Sequence, residues 1–177
     1  MIQAEIGGAA RVTPGFGVQR PGSVIRDFTL MSSRGEKLRI SSFHARSNLA
    51  LVFPAFSDAM LGFAEEAVRH AREFSEQDTA LLMVLPHGPE KQVISLAGSS
   101  TIVALYDETH RVYRLSGATD ENARPIPLIY LTDRFGEIAT SYVAPAHLMP
   151  PSVSEILSAL EFVNFQCPEC EPPEWPR

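Results

Sequence analysis

Three short apolar runs stand out along the chain: Leu49 to Phe53 (LALVF), Ala80 to Leu85 (ALLMVL) and Thr101 to Tyr106 (TIVALY). Apolar runs of this length, without polar alternation, predict strands covered on both faces, as in a parallel sheet. Between the first two runs, Leu61, Ala64, Ala67, Val68, Ala71 and Phe74 recur at helical spacing. Glu65, Glu66, Arg69, Arg72, Glu73 and Glu76 occupy the other face, so one amphipathic helix is predicted through this segment. Glu65 precedes Arg69 by one turn, the favoured order for a charge pair, and Ser57 or Asp58 can cap the helix. Strand, helix, strand in this order predicts a right-handed crossover with parallel pairing.

The flanking segments predict antiparallel additions. Asp27 to Leu30 and Lys37 to Ile40 bracket the turn Ser32-Ser33-Arg34-Gly35 and read as a hairpin. Asp107 can cap a helix that runs to about Leu115 and stops at Gly117. Leu128 to Leu131 and Glu137 to Val143 read as strands joined by the turn Asp133 to Gly136. Ser152-Val153-Ser154-Glu155 is a capping box that opens a last helix with the stripe Val153, Ile156, Leu157, Leu160 and Val163. The expected organisation is an arm over 1–23, one α/β domain over 24–166 and a tail over 167–177. The domain is a mixed sheet with helices on both faces.

Composition narrows the function classes. A chain of 177 residues forms one domain by default, and 45% hydrophobic with 20% charged residues is an ordinary globular mix. A net charge of −6 excludes a broad basic footprint, so no nucleic-acid partner is expected. No apolar run approaches the roughly 20 residues of a membrane span. The first residues, MIQAEIGGAARVTPG, contain no apolar signal core, which predicts a cytoplasmic protein without a membrane partner. There is no dinucleotide-binding glycine fingerprint, phosphate loop or nucleophile elbow, and no cofactor is expected.

The reactive candidate is Cys167-Pro168-Glu169-Cys170, which contains both cysteines of the chain. A Cys-x-x-Cys closes readily into a disulfide, and the reactive form is the thiolate. Three uses stay open: thiol–disulfide exchange with a partner protein or peptide, a metal shared by two copies in a homodimer, or an inert turn. Two cysteines make only half a zinc site, so no metal is assigned within one chain. Pro168 forces the chain to turn at Cys167, which should bring Cys170 back near it, and Trp175 is expected to anchor the tail. None of the five histidines lies in a metal-binding pattern. Asp58 and His87 come after two strands expected to be parallel, so both should lie at the carboxyl edge of the sheet. There α/β folds bind ligands. They form a candidate polar pair, set against the plainer reading of a helix cap and a loop histidine.

Four segments in order resemble the thioredoxin fold in its peroxiredoxin-like branch, the alkyl hydroperoxide reductase and thiol-specific antioxidant family. They are Asp27-Phe28-Thr29-Leu30 with Gly35 and Leu38 to Phe43; Leu49 to Phe53; Ala104 to Asp107 with Val112-Tyr113; and Pro127 to Asp133 with Gly136. The resemblance covers residues 24 to about 163. It implies a thioredoxin-like three-layer α/β/α fold with a mixed central sheet and an N-terminal β-hairpin. It also implies a cis peptide at Ile126–Pro127 beside the first helix. The family carries a Pro, then Thr or Ser four residues on, then the peroxidatic Cys three beyond. Counted from Pro54, these positions are Asp58 and Leu61, and the peroxidase arginine falls on Pro127. Leucine supplies no nucleophile, so a standard peroxidase is not expected. The leading expectation is a redox protein acting through Cys167 and Cys170. The alternative is a non-catalytic module holding a peptide or protein in a crevice around Ser57, Asp58, Leu61 and Pro127.

Overall fold

A computed structural model describes residues 17–55, 58–86, 102–143 and 150–165. The strands are β1 (Thr29–Ser32), β2 (Lys37–Arg39), β3 (Asn48–Phe53), β4 (Thr79–Leu85), β5 (Ile102–Tyr106), β6 (Leu128–Thr132) and β7 (Ile138–Val143). They form one seven-stranded sheet in the order β2-β1-β5-β4-β3-β6-β7. The three apolar runs are its parallel centre, with β3 against β4 and β4 against β5. β6 and β1 join this centre antiparallel, on β3 and β5 respectively, which makes the sheet mixed.

Strand alternation separates two cores. Ala50, Val52, Leu81, Met83, Ile129 and Leu131 face one cluster; Leu49, Leu51, Phe53, Leu82, Val84 and Tyr130 face the other. The first cluster is covered by α1 (Asp58–Arg69), α2 (Ala71–Glu76) and α4 (Val153–Phe165). The second is covered by the short α3 (Arg111–Ser116), through Val112 and Tyr113. Burying both faces of β3 completely is what allows its sequence to lack any polar alternation. The stretch 17–26 is fastened to the body: Gly22 N–H donates to Ile138 O at 2.8 Å and Ile25 N–H to Gly136 O at 2.8 Å.

Three elements differ from the sequence expectation. β1 starts two residues late, because the Asp27 carboxylate is committed to Arg39 Nε, Ser41 N–H and the Ser41 hydroxyl. The helix after β5 begins at Arg111 rather than beside Asp107, since His110 holds a left-handed φ of 53°. Asp107 caps it across that turn, accepting from Arg111 N–H at 3.0 Å and Tyr113 N–H at 2.8 Å. The long amphipathic helix is divided at His70, whose ψ of 19° departs from helical geometry, and α2 then delivers Phe74 to the first core.

Candidate functional site

The carboxyl ends of β3, β4 and β5 and the start of β6 meet at one edge of the sheet. Phe53 pairs with Leu128, so continuing the antiparallel register sets Pro54 beside Pro127. Both prolines are buried and neither carries an N–H, which ends the ladder at this point. Beyond Pro54 the chain turns through Ala55, at φ 49°, and α1 begins at Asp58.

Tyr113 is the pillar under this turn, a role that sequence pattern does not assign to it. It rises from α3, is fully buried, and donates its hydroxyl to Val84 O at 2.9 Å. The same oxygen accepts from Ala55 N–H at 3.4 Å, and the ring meets Phe53 edge-on at 5.2 Å. One side chain thus ties the ends of β3 and β4 and the first residue of the turn into a rigid unit. Burial raises the phenol pKa far above its ordinary value, so this group stays neutral and acts as a structural hydrogen-bonding element. A tyrosine two residues into a short helix carries no sequence mark of such a reach; only the packing of α3 against the sheet reveals it.

Of the residues expected at this edge, Leu61 and Pro127 are placed there. Leu61 lies in the first turn of α1, half-buried, with its side chain packed against the first core cluster. Its neighbour Met60 is 1% exposed. No residue from Pro54 to Leu61 is a cysteine, so this turn offers no thiol. Asp58 is the first residue of α1. Ser57, His87, Cys167, Cys170 and Trp175 lie outside the described residues, so the Asp58–His87 pairing and the Cys167–Cys170 approach are not placed by the structure. Among the described residues no group of three or more His, Cys, Asp or Glu side chains is arranged to hold a metal.

The peptide between Ile126 and Pro127 is trans, which corrects the cis bond implied by the resemblance; no cis peptide occurs among the described residues. Ile126 N–H donates to Ala118 O at 2.9 Å, and the chain runs on from Pro127 into the β6 ladder. An extended trans approach serves that geometry, and trans is the favoured isomer by about 0.5–1 kcal/mol.

The opposite edge of the sheet receives the end of α4. Asn48, the first residue of β3, donates its side-chain N–H to Asn164 Oδ1 at 2.8 Å, and Asn164 Nδ2 donates to Gln77 O at 3.4 Å. The chain therefore leaves α4 at the amino edge, one strand length, about 17 Å, from the Pro54–Pro127 edge.

The architecture has many counterparts among solved structures. The 1-Cys peroxiredoxin of yeast mitochondria aligns with a TM-score of 0.72 at 14% identity, over 83% of this chain and 77% of that one. AhpC of Mycobacterium tuberculosis aligns with a TM-score of 0.68 at 13% identity, over 84% and 94% of the two chains. A cysteine-to-serine mutant of peroxiredoxin 6 of Arenicola marina gives 0.71 at 15% identity, over 82% and 74%. The fold is thioredoxin-like. Its arrangement is that found in peroxiredoxins, and at these identities the likeness concerns the fold alone. No family model and no curated protein sequence matches the chain.

Proposed function

We propose that the protein is a thioredoxin-fold redox protein of the peroxiredoxin-like type, not a standard peroxidase, in which thiol–disulfide exchange runs through Cys167 and Cys170. One observation carries this reading. The turn between β3 and α1 has no thiol from Pro54 to Leu61, whereas both cysteines come after α4 as a Cys-x-x-Cys. In the forward direction one thiolate attacks a sulfur of a partner disulfide, forming a mixed disulfide and releasing one partner thiolate. The second cysteine thiolate then attacks the bound sulfur of its neighbour. This closes the Cys167–Cys170 disulfide and releases the second partner thiol. Two electrons pass to the partner, and a thiol reductant of the glutathione or dithiol class restores the pair. The yeast neighbour is described with glutathione and thioredoxin systems resolving its thiol, which supports that class of reductant here.

The test is a thiol count on the whole protein. Two titratable thiols that disappear with mild oxidant and return with dithiothreitol, and that reduce a model protein disulfide, are the expected result. Loss of that reduction in both Cys167→Ser and Cys170→Ser completes it. Hydrogen peroxide turnover at peroxiredoxin-like rates that survives both substitutions would overturn the reading. Zinc at one ion per two chains would point instead to a metal-bridged homodimer. Two thiols inert to oxidant and reductant, with no metal, would leave a non-catalytic peptide-binding module. For that second reading the favouring observation is the placement of Pro54, after the end of β3, beside Pro127, before the start of β6.

A further inference from the structure

A cavity of about 410 Å³ opens between the β1–β2 hairpin and α3, on the sheet face opposite to α1 and α4. It is separate from the Pro54–Pro127 edge. Its size falls within the roughly 300–1,000 Å³ of small-molecule sites.

The charges on its wall are two carboxylates, Asp27 and Asp107, and two guanidiniums, Arg39 and Arg111. Formally they cancel, but their hydrogen-bonding capacity does not. Asp27 is 10% exposed and already accepts Arg39 Nε at 2.6 Å, Ser41 N–H at 3.0 Å and the Ser41 hydroxyl at 3.0 Å. Asp107 is 1% exposed and accepts Arg111 N–H and Tyr113 N–H. Both acids are spent on the protein's own backbone and side chains. The arginines are not. Among the described residues Arg39 uses only Nε, on Asp27, so its guanidinium is held in place at 65% exposure with both terminal nitrogens left over. Arg111 contributes its backbone N–H to Asp107, and among the described residues its guanidinium has no partner. The Thr29 hydroxyl is a further exposed polar group on the wall. What the cavity presents to a visitor is therefore a set of donors, mostly cationic, beside the apolar side chains of Leu30, Val112 and Leu115.

Guanidinium groups with free terminal nitrogens suit carboxylate and phosphate oxygens, and fixing Nε removes part of the ordering cost of that contact. A net charge of −6 repels anions at long range, so any anion held here is held by these local groups. We propose that this cavity binds a small organic oxyanion: a carboxylate or phosphate ester head on Arg39 and Arg111, with a short apolar body against Val112 and Leu115.

The test is amide-shift titration of the whole, isotope-labelled protein with phenyl phosphate, benzoate, inorganic phosphate and benzyl alcohol. Phenyl phosphate or benzoate should produce saturable shifts at Thr29, Arg111 and Val112, and which of the two binds tighter identifies the head group. Arg111→Gln, at an exposed position, should weaken that binding about tenfold, the scale of one charge-assisted hydrogen bond. Arg72→Gln, on α2 across the sheet, should leave it unchanged. Three results would each overturn the proposal: no saturable shift with either organic anion, benzyl alcohol binding as well as benzoate, or inorganic phosphate binding as tightly as phenyl phosphate. Equal binding by Arg111→Gln and the parent chain would do so too.

Discussion

Tyr113 and Tyr130 are the largest fully buried side chains described, and each spends its hydroxyl on the backbone of another element. Tyr130 donates to Ser116 O at 2.7 Å and accepts from Gln19 N–H at 2.8 Å, so one phenol binds β6, α3 and the segment before β1. Replacing Tyr113 by Phe leaves Val84 O and Ala55 N–H without that oxygen. A loss of about 1–2 kcal/mol in denaturant unfolding is expected. The same burial sets a pH response. Desolvation pushes the Tyr130 phenol up to about 12, partly offset by Gln19 N–H and Arg26, and the phenols of Tyr106, Tyr113 and Tyr142 are raised as well. A raised phenol keeps its proton in the folded state after the unfolded chain has lost it. Its contribution is therefore fully present below about pH 10 and is lost as pH rises through the folded value. Unfolding midpoints should fall between about pH 10 and 12, and Tyr130→Phe should flatten part of that fall. The absorbance rise of phenolate in the folded protein should be displaced upward for all four tyrosines.

Two helix ends are fixed by identifiable atoms. Gly117 closes α3 at φ 74°, and a Cβ there would stand 2.3 Å from Gly17 C and Val18 N. Gly117→Ala thus combines a left-handed penalty of roughly 1–2 kcal/mol with a backbone collision. It should destabilise more than Gly35→Ala, where φ is 77° but the space for a Cβ is open. Comparing the two midpoints separates the steric part from the conformational part. At α4 the capping box is formed in both directions: Ser152 N–H donates to Glu155 Oε2 at 2.7 Å and Glu155 N–H to Ser152 Oγ at 3.3 Å. Ser152→Ala should lower stability by about 1 kcal/mol. Those Ser152 bonds, the backbone one first, lower the Glu155 pKa. Its share of stability is present above the unfolded carboxylate pKa and disappears as pH falls through the folded value. A cap variant should therefore differ from the parent at neutral pH more than in acid.

At the scale of the whole molecule, stability rests on two core clusters, one on each face of the sheet. Both core clusters are built from the sheet and the helices flanking it. The double substitution of both cysteines by Ser should abolish reduction of a model protein disulfide. Leu51→Ala at the centre of β3, where the side chain is 0% exposed, should cost about 2–5 kcal/mol. The end of α4 lies at the amino edge of the sheet, while the turn that Tyr113 supports and the Arg39–Arg111 cavity lie elsewhere.

Periodicity in the chain determined the elements and their pairing sense. Unbroken apolar runs required burial on both faces, and so helices covering the sheet on each side. The Gly117 stop, the Asp133 turn and the Ser152 box were legible because each rests on bonds within a few residues. What the tertiary structure decided is everything that depends on contacts distant in sequence. His110 adopting a left-handed φ moved the start of α3, and the commitment of Asp27 to Ser41 and Arg39 shifted β1. The trans peptide before Pro127 reflects how β6 joins β3, against the expectation drawn from the family's proline. The reach of Tyr113 to Ala55 spans 58 residues, and local pattern carries no trace of it. The same holds for the cavity between hairpin and α3. The sequence shows equal numbers of acids and arginines there, and only three-dimensional hydrogen bonding consumes the acids and leaves the arginines available.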